Sequence, residues 1–207
     1  AAMETAVAQA MEEGALGLST SLIYVPDKFA STAEIIALAR VAARYGGCYA
    51  THHRDEGSDG QGGIDASLDE VFTIAREAAI ATEIFHLKAS GRQSWGRMPA
   101  ILARIERARA EGLDVAADQY PWTASSNALA ASLPGWVQEG GADAMVRRLT
   151  EPATRARAKQ EFLAAPGNDD WPAGAARVLV TSVLTPALKR FEGRTIAEIA
   201  RDEGKDP

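Results

Sequence analysis

Apolar residues along the first two-thirds of the chain alternate between short continuous runs and longer stretches with helical spacing. The short runs are typical of buried strands and lie at Ala15–Leu18, Cys48–His53, Glu83–Lys88 and Leu113–Asp118. The stretches between them predict amphipathic helices at Thr32–Tyr45, Ser67–Ala81 and Pro99–Glu111. This regular alternation favours a parallel sheet, either a doubly wound sheet or an arc of a (β/α)₈ barrel.

Residues that favour helix ends and loops mark the limits of these predicted elements. The hydroxyl groups of Ser31 and Thr32 suit the start of the first helix, and Gly46 and Gly47 suit its end, because glycine tolerates the left-handed backbone found there. A glycine-rich stretch, Gly57 to Gly63, predicts a flexible loop, since it lacks the register of a dinucleotide-binding motif.

The pattern changes after Pro121. Small and polar residues at 123–135 precede a helical stretch, Ala142–Ala165, which Pro152 should break near Thr150. A further apolar run predicts a fifth strand at Val178–Val183, and a last amphipathic helix is predicted at Thr195–Arg201. We therefore divide the chain into regular strand–helix units at 1–122 and an irregular region at 123–207.

Composition excludes several classes of protein. The 207 residues carry a formal net charge of −6, and 46% of them are hydrophobic, as in ordinary globular proteins. A single cysteine, Cys48, excludes a disulfide framework or a cysteine-rich zinc site, and we expect it to fill core space. The acidic balance and scattered basic residues argue against a nucleic-acid surface, and the sequence has no apolar run long enough for a membrane span. We expect a cytoplasmic protein.

The three histidines lie where two neighbouring strands are predicted to end. His52 and His53 close the second strand and His86 closes the third. Since the carboxyl ends of parallel strands meet at one edge, His52 and His86 should approach closely, in a geometry that suits two ligands of a divalent metal such as zinc. The pattern alone leaves open that they are hydrogen-bonded structural residues. Strand alternation places Arg54 on the face of His52, whereas His53 points to the other face and is interpreted as structural. A zinc site needs further ligands. Spacing alone does not place any of the nearby carboxylates, Asp55, Glu56 and Asp118, beside the two histidines.

Five segments resemble one known family. They are Gly14–Ser19 with Leu22–Pro26, Tyr49–Gly57, His86–Gly91, Asp118–Ser126 and Phe191–Ala200. Together, in this order and spacing, they are similar to segments of the N-acyl-D-amino-acid deacylases (D-aminoacylases) of the amidohydrolase superfamily. The resemblance covers nearly the whole chain.

This resemblance implies a fold and a site. It implies an α/β fold that is a partial (β/α)₈ TIM-type barrel, about strands four to seven, with a small helical insertion. Residues 123–207 would form that insertion and a following strand–helix segment of the same catalytic domain. His52 and His86 match zinc-binding histidines of the family. Lys88, Tyr120 and Ser126 match residues that hold the substrate carboxylate, and Tyr24 matches an aromatic near the acyl pocket. The implied substrate is an N-acyl-D-amino acid.

Other functional residues of the family have no match here. Its His-x-His pair, its metal-binding cysteine and its general-base aspartate are expected outside this chain, so no residue of the chain is assigned as catalytic. The abrupt ends suggest a central fragment. We expect such a fragment to be inactive and to bind zinc weakly.

Two alternatives stay open. One is a cyclic amidohydrolase such as a dihydroorotase or hydantoinase, although these usually carry a carboxylated lysine on strand four and no lysine lies at Ala15–Ser21. The other is a half-barrel that acts as a non-catalytic interaction module. Its open sheet edges would favour self-association of the chain.

Overall fold

The strands β1 (Gly17–Ser21), β2 (Cys48–His52), β3 (Thr82–Ile84) and β4 (Val115–Ala117) form one parallel sheet. Each strand pairs with the next along the chain, so the order in the sheet is the order in the sequence. The computed structural model describes residues 1–57, 63–165, 168 and 171–207. The α/β architecture with a parallel sheet is thereby confirmed, and the central residues 58–62 of the predicted glycine-rich loop lie outside the described part.

The chain divides into two units, Ala1–Leu149 and Thr150–Pro207. The α-helices among the described residues are α1 (Ala2–Glu12), α2 (Thr32–Arg44), α3 (Gly63–Ala78), α4 (Met98–Ala110), α5 (Gly135–Gln138), α6 (Ala142–Thr150), α7 (Pro152–Ala164) and α8 (Ile196–Asp202). None of the described helices combines the length and apolar character needed to cross a membrane. The proposed division at residue 122 stays a prediction.

Local chemistry explains the bounds of α2. Ser31 is its N-cap, because its hydroxyl oxygen accepts a hydrogen bond from the Glu34 amide at 3.3 Å while the Glu34 carboxylate accepts from the Ser31 amide at 2.8 Å. Gly46 follows the helix with a φ of 71°, a conformation that suits glycine. The predicted start and end of this helix are confirmed.

The core of the first unit lies between the sheet and its helices. One apolar cluster packs α3 and α4 against β3 and β4 through residues that include Leu68, Ile84 and Val115. A second cluster packs α1, α2 and α3 around the fully buried Tyr49 of β2. The opposite face of the strands carries small or polar side chains such as Ser19, Ala50 and Glu83, which lie side by side in the sheet register.

Two expectations were wrong. Cys48 is exposed, because it is the first residue of β2 and lies outside the apolar clusters. The apolar run Val178–Val183 does not form a strand of the sheet. In the second unit it pairs antiparallel with residues 193–196, through the Leu179–Thr195 bridge and backbone hydrogen bonds of Val178 and Val180.

The second unit is built from short elements. α7 begins at Pro152, so the break predicted near Thr150 is confirmed. Trp171 packs edge-on against Phe162 of α7, with ring centroids 5.1 Å apart. Thr195 caps α8 in the same reciprocal manner as Ser31 caps α2.

Core truncation should destabilise the first unit strongly. Leu68 is fully buried between α3 and the sheet. We expect Leu68→Ala to lower the free energy of unfolding by about 2–5 kcal/mol, since it removes buried apolar surface and leaves a cavity. Urea unfolding followed by circular dichroism measures the loss. Leu16→Ala, at a leucine that is 86% exposed, is the matched control, and equal losses in both variants would contradict the assigned core.

Candidate metal centre

Two histidines meet at the carboxyl end of the sheet, as the sequence predicts. His52 is the last residue of β2, and His86 follows β3 two residues after the strand ends. Their ring centroids are 4.5 Å apart with the planes nearly perpendicular. The parallel pairing of β2 with β3 produces this approach, because both strands run toward the same edge.

A buried carboxylate completes the cluster. Glu56, only 6% exposed, places its Oε1 atom 3.6 Å from His52 Nδ1 and 3.5 Å from His86 Nδ1. Ligand atoms of these three residues all lie within 4.8 Å of one another. Sequence spacing could not choose Glu56 over Asp55 or Asp118. The only signal available was its position four residues beyond His52 in the loop that leaves β2.

These donors fit a divalent metal such as zinc. Imidazole nitrogen and carboxylate oxygen are ordinary zinc ligands, and tetrahedral bonds of about 2.0–2.1 Å separate neighbouring ligand atoms by roughly 3.3–3.4 Å. The two contacts of Glu56, at 3.5 and 3.6 Å, are close to that spacing. Burial lowers the pKa of His52 and outweighs the opposite effect of Glu56. This favours the neutral imidazole, which is the form that binds a metal.

Lys88 supplies the positive charge of the cluster. Its Nζ atom lies 2.5 Å from Glu56 Oε1, 2.9 Å from His86 Nδ1 and 3.0 Å from the His86 carbonyl oxygen. These three acceptors satisfy the three donors of an ammonium group. The second oxygen of Glu56 accepts a hydrogen bond from the Ser90 hydroxyl at 3.3 Å. Glu56 is therefore buried with its charge compensated.

The backbone at His86 is held in an unusual conformation. Its φ is 39°, in the left-handed region that non-glycine residues rarely adopt. Asp118, just beyond β4, fixes it, since Asp118 Oδ1 accepts from the His86 amide at 2.5 Å and the Asp118 carbonyl oxygen accepts from the Leu87 amide at 2.9 Å. Such strain costs on the order of 1–3 kcal/mol and is typical of functional sites.

The four residues matched to substrate binding lie at different distances from the cluster. The Tyr24 ring is 5.2 Å from that of His52, and the Tyr120 ring is 6.2 Å from that of His86. Lys88 Nζ lies 5.5 Å from the Tyr120 ring centroid. Burial, followed by the nearby Glu56 charge, raises the pKa of Tyr24, so its hydroxyl stays protonated. Ser126 is exposed in the stretch after β4, and no contact joins it to the cluster within the described residues.

His53 has a structural environment, as predicted. It is fully buried on the helix side of the sheet, where its Nδ1 atom lies 2.8 Å from the Ser67 hydroxyl of α3. Burial lowers the pKa of His53 to about 4, so the imidazole is neutral near pH 7. Its Nε2 atom has no hydrogen-bond partner in the described structure.

Arg54 does not share the direction of His52, contrary to the strand alternation assumed from sequence. The strand ends at His52, and Arg54 turns toward the helices. Its guanidinium forms a double hydrogen bond with Glu70 of α3, at 2.8 and 2.9 Å. It also donates to the carbonyl oxygens of Lys28 and Ala30, at 2.7 and 2.9 Å. Arg54 therefore ties the loop that carries Tyr24 to α3.

Known proteins are similar in sequence to this chain over much of its length. No family model matches the chain. The N-acyl-D-glutamate deacylase of Alcaligenes xylosoxydans xylosoxydans is 44% identical over 128 residues, which is 62% of this chain and 25% of the relative. The D-aminoacylase of the same organism is 43% identical over 129 residues, 62% of this chain and 26% of the relative. The chain thus spans about a quarter of the length of these relatives.

Solved structures extend the likeness to the whole chain. A crystal structure of D-aminoacylase, described as defining a novel subset of amidohydrolases, is 30% identical with a TM-score of 0.69, covering 99% of this chain and 34% of that one. The N-acyl-D-glutamate deacylase from Bordetella bronchiseptica, complexed with zinc and a phosphonate inhibitor that mimics the tetrahedral intermediate, is 31% identical with a TM-score of 0.71 over the same shares. The resemblance to N-acyl-D-amino-acid deacylases is confirmed.

Removal of the Arg54 side chain should destabilise the first unit. Arg54 and Glu70 are partly buried, with side chains 19% and 10% exposed, so Arg54→Met removes the ionic partner of Glu70 and should cost about 1–3 kcal/mol in urea unfolding. The matched control is Arg40→Met, because Arg40 pairs with Glu77 at the surface, where both side chains are more than half exposed. That variant should change stability by less than about 1 kcal/mol. Similar losses of stability in both variants would contradict a stabilising role of the Arg54–Glu70 pair.

Proposed function

We propose that this chain forms part of the active site of a metal-dependent amidohydrolase that converts N-acyl-D-amino acids into a carboxylate and a free D-amino acid. The observation that carries the proposal is the convergence of His52, Glu56 and His86 at the carboxyl end of a parallel sheet. It is supported by the 44% identity to a deacylase over 128 residues. Because the chain spans a quarter of that relative, the activity is proposed for a longer protein.

The four strands are proposed to be strands four to seven of a (β/α)₈ barrel. The unbroken strand order and the 99% coverage by a D-aminoacylase structure support this assignment. Residues 123–207 would then be a helical insertion and a following segment that ends in α8, within the same catalytic domain. In this arrangement the small and polar face of the sheet, with Ser19, Ala50 and Glu83, would line the barrel interior.

We propose zinc as the metal, with His52 and His86 as ligands. Zinc is present in the related deacylase from Bordetella bronchiseptica, and the donor set of this chain fits it. A bound zinc ion would polarise the amide carbonyl and lower the pKa of a water molecule. His52 is suited to bind such an ion because its burial favours the neutral ring.

Four further residues are proposed to hold the substrate. The Lys88 ammonium suits the carboxylate of an N-acyl-D-amino acid, with Tyr120 beside it. Tyr24, adjacent to His52, is proposed to contact the acyl group, and Ser126 to reach the carboxylate once the substrate is bound.

The general-base aspartate is expected outside this chain, so we propose that the chain alone does not turn over substrate. A cytoplasmic location stays a prediction.

The deacylase assignment is favoured over the alternatives. The relatives act on linear N-acyl-D-amino acids according to their names, and β1 carries no lysine that could be carboxylated, as a cyclic amidohydrolase would usually need. A non-catalytic module has no need for a buried histidine–carboxylate cluster. We therefore keep self-association as an expected property of the isolated chain, and we do not propose a non-catalytic interaction module as its function.

Zinc binding tests the ligand assignment. We expect a Cys48→Ser background to bind one zinc ion by calorimetry, and His52→Ala and His86→Ala to weaken binding at least roughly tenfold, because each removes one of few ligands. The control is His53→Asn, whose amide can still bond to Ser67 and which should bind zinc like the background. Unchanged zinc affinity in His52→Ala and His86→Ala would exclude these two histidines as ligands.

The reaction is tested in the full reading frame that contains this chain. That frame should encode a His-x-His motif upstream and an aspartate near a last strand downstream. Its product should hydrolyse N-acetyl-D-amino acids and leave the L enantiomers and dihydroorotate intact. Hydrolysis of dihydroorotate or a hydantoin instead would favour the cyclic amidohydrolase.

The isolated chain is also expected to self-associate. β1 and β4 are the outer strands of the described sheet, and outer strands present unpaired backbone groups to solvent. Sedimentation velocity should show dimers or larger species whose fraction rises with concentration. A single monomeric species over the whole concentration range would contradict this expectation.

A further inference from the structure

The Lys88 ammonium group contacts Glu56 and His86, two of the three residues of the candidate metal centre. Glu56 Oε1, 2.5 Å from Lys88 Nζ, is also the carboxylate oxygen that faces both histidines. His86 Nδ1, 2.9 Å from the same Nζ, is the ring atom that faces Glu56. In this structure the Lys88 ammonium group is therefore the cation that Glu56 and His86 contact.

An ammonium group and a divalent ion compete for these acceptors. The lone pair of His86 Nδ1 accepts one donor or one metal bond, and two cations within bonding distance of Glu56 Oε1 would repel each other strongly in a partly buried site. Lys88 is 21% exposed at its side chain, and its long aliphatic stem allows the ammonium to move toward solvent.

We propose that Lys88 is an internal competitor of the metal ion: it occupies Glu56 and His86 in the metal-free chain and is expelled when a divalent ion binds. This inference rests on the proposed function for the presence of the metal. It adds that the cluster is kept charge-balanced and folded without a metal, because Lys88 compensates the buried carboxylate.

The competition couples the metal to the substrate. While Lys88 is bound to Glu56 its ammonium is engaged by three acceptors and is not available to an anion. Expulsion by the metal releases that charge beside Tyr120, where a substrate carboxylate is proposed to bind. Metal binding and carboxylate binding are therefore positively coupled through one side chain.

Zinc affinity gives the first test. In the Cys48→Ser background, Lys88→Met should bind zinc about tenfold to a hundredfold more tightly than the background itself, the range expected when a charge-assisted hydrogen bond no longer has to be broken. Lys88→Arg should restore the weaker binding. The control is Lys205→Met, at a lysine that is 73% exposed, which should leave the affinity unchanged. Equal zinc affinity with and without the Lys88→Met substitution would overturn the competition while leaving the ligand assignment intact.

Amine labelling gives a second test that needs no variant. A brief pulse of acetylating reagent, followed by peptide mass spectrometry, should modify Lys88 slowly in the metal-free chain and at least several-fold faster with saturating zinc. Lys189 and Lys205 serve as internal controls and should not change. Protection of Lys88 by zinc, or an unchanged rate, would overturn the proposal. Absence of zinc binding in every variant would overturn both this inference and the proposed metal centre.

Discussion

The pairing of the buried Glu56 carboxylate is the interaction on which the site depends. A carboxylate that is 6% exposed needs compensating partners, and the loop after β2 folds so that Lys88, two imidazoles and Ser90 surround it. The same contacts join the end of β2 to the segment after β3. The geometry of the candidate metal centre is therefore a consequence of how one negative charge is buried.

The parallel sheet makes this pairing possible. Because each strand lies beside the next one in sequence, the segments after β2, β3 and β4 emerge at one edge. Asp118 after β4 holds the strained backbone of His86, and Arg54 after β2 holds the loop of Tyr24. Each of these supports comes from a neighbouring strand end or loop, so the geometry of the site depends on an intact sheet.

Regular features were predictable from sequence, and features set by loops were not. Apolar periodicity predicted α2, α3 and α4, and the position of His52 and His86 at strand ends predicted their approach. The role of Glu56 depends on how the loop after β2 turns back, which spacing does not encode. The direction of Arg54 was predicted wrongly because strand alternation stops at His52. The run Val178–Val183 has the pattern of a strand, but apolar character alone does not reveal that its partner is the segment at residues 193–196 and not the parallel sheet.

X-ray absorption at the zinc edge reports the ligands of a zinc ion bound to this chain. If His52 and His86 bind the ion, the spectrum should show multiple scattering from two imidazole rings and light-atom ligands at about 2.0–2.1 Å. It should show no sulfur, since the exposed Cys48 begins β2, at the end of the strand opposite to His52. A spectrum dominated by sulfur at about 2.3 Å, or one without imidazole scattering, would contradict this ligand assignment.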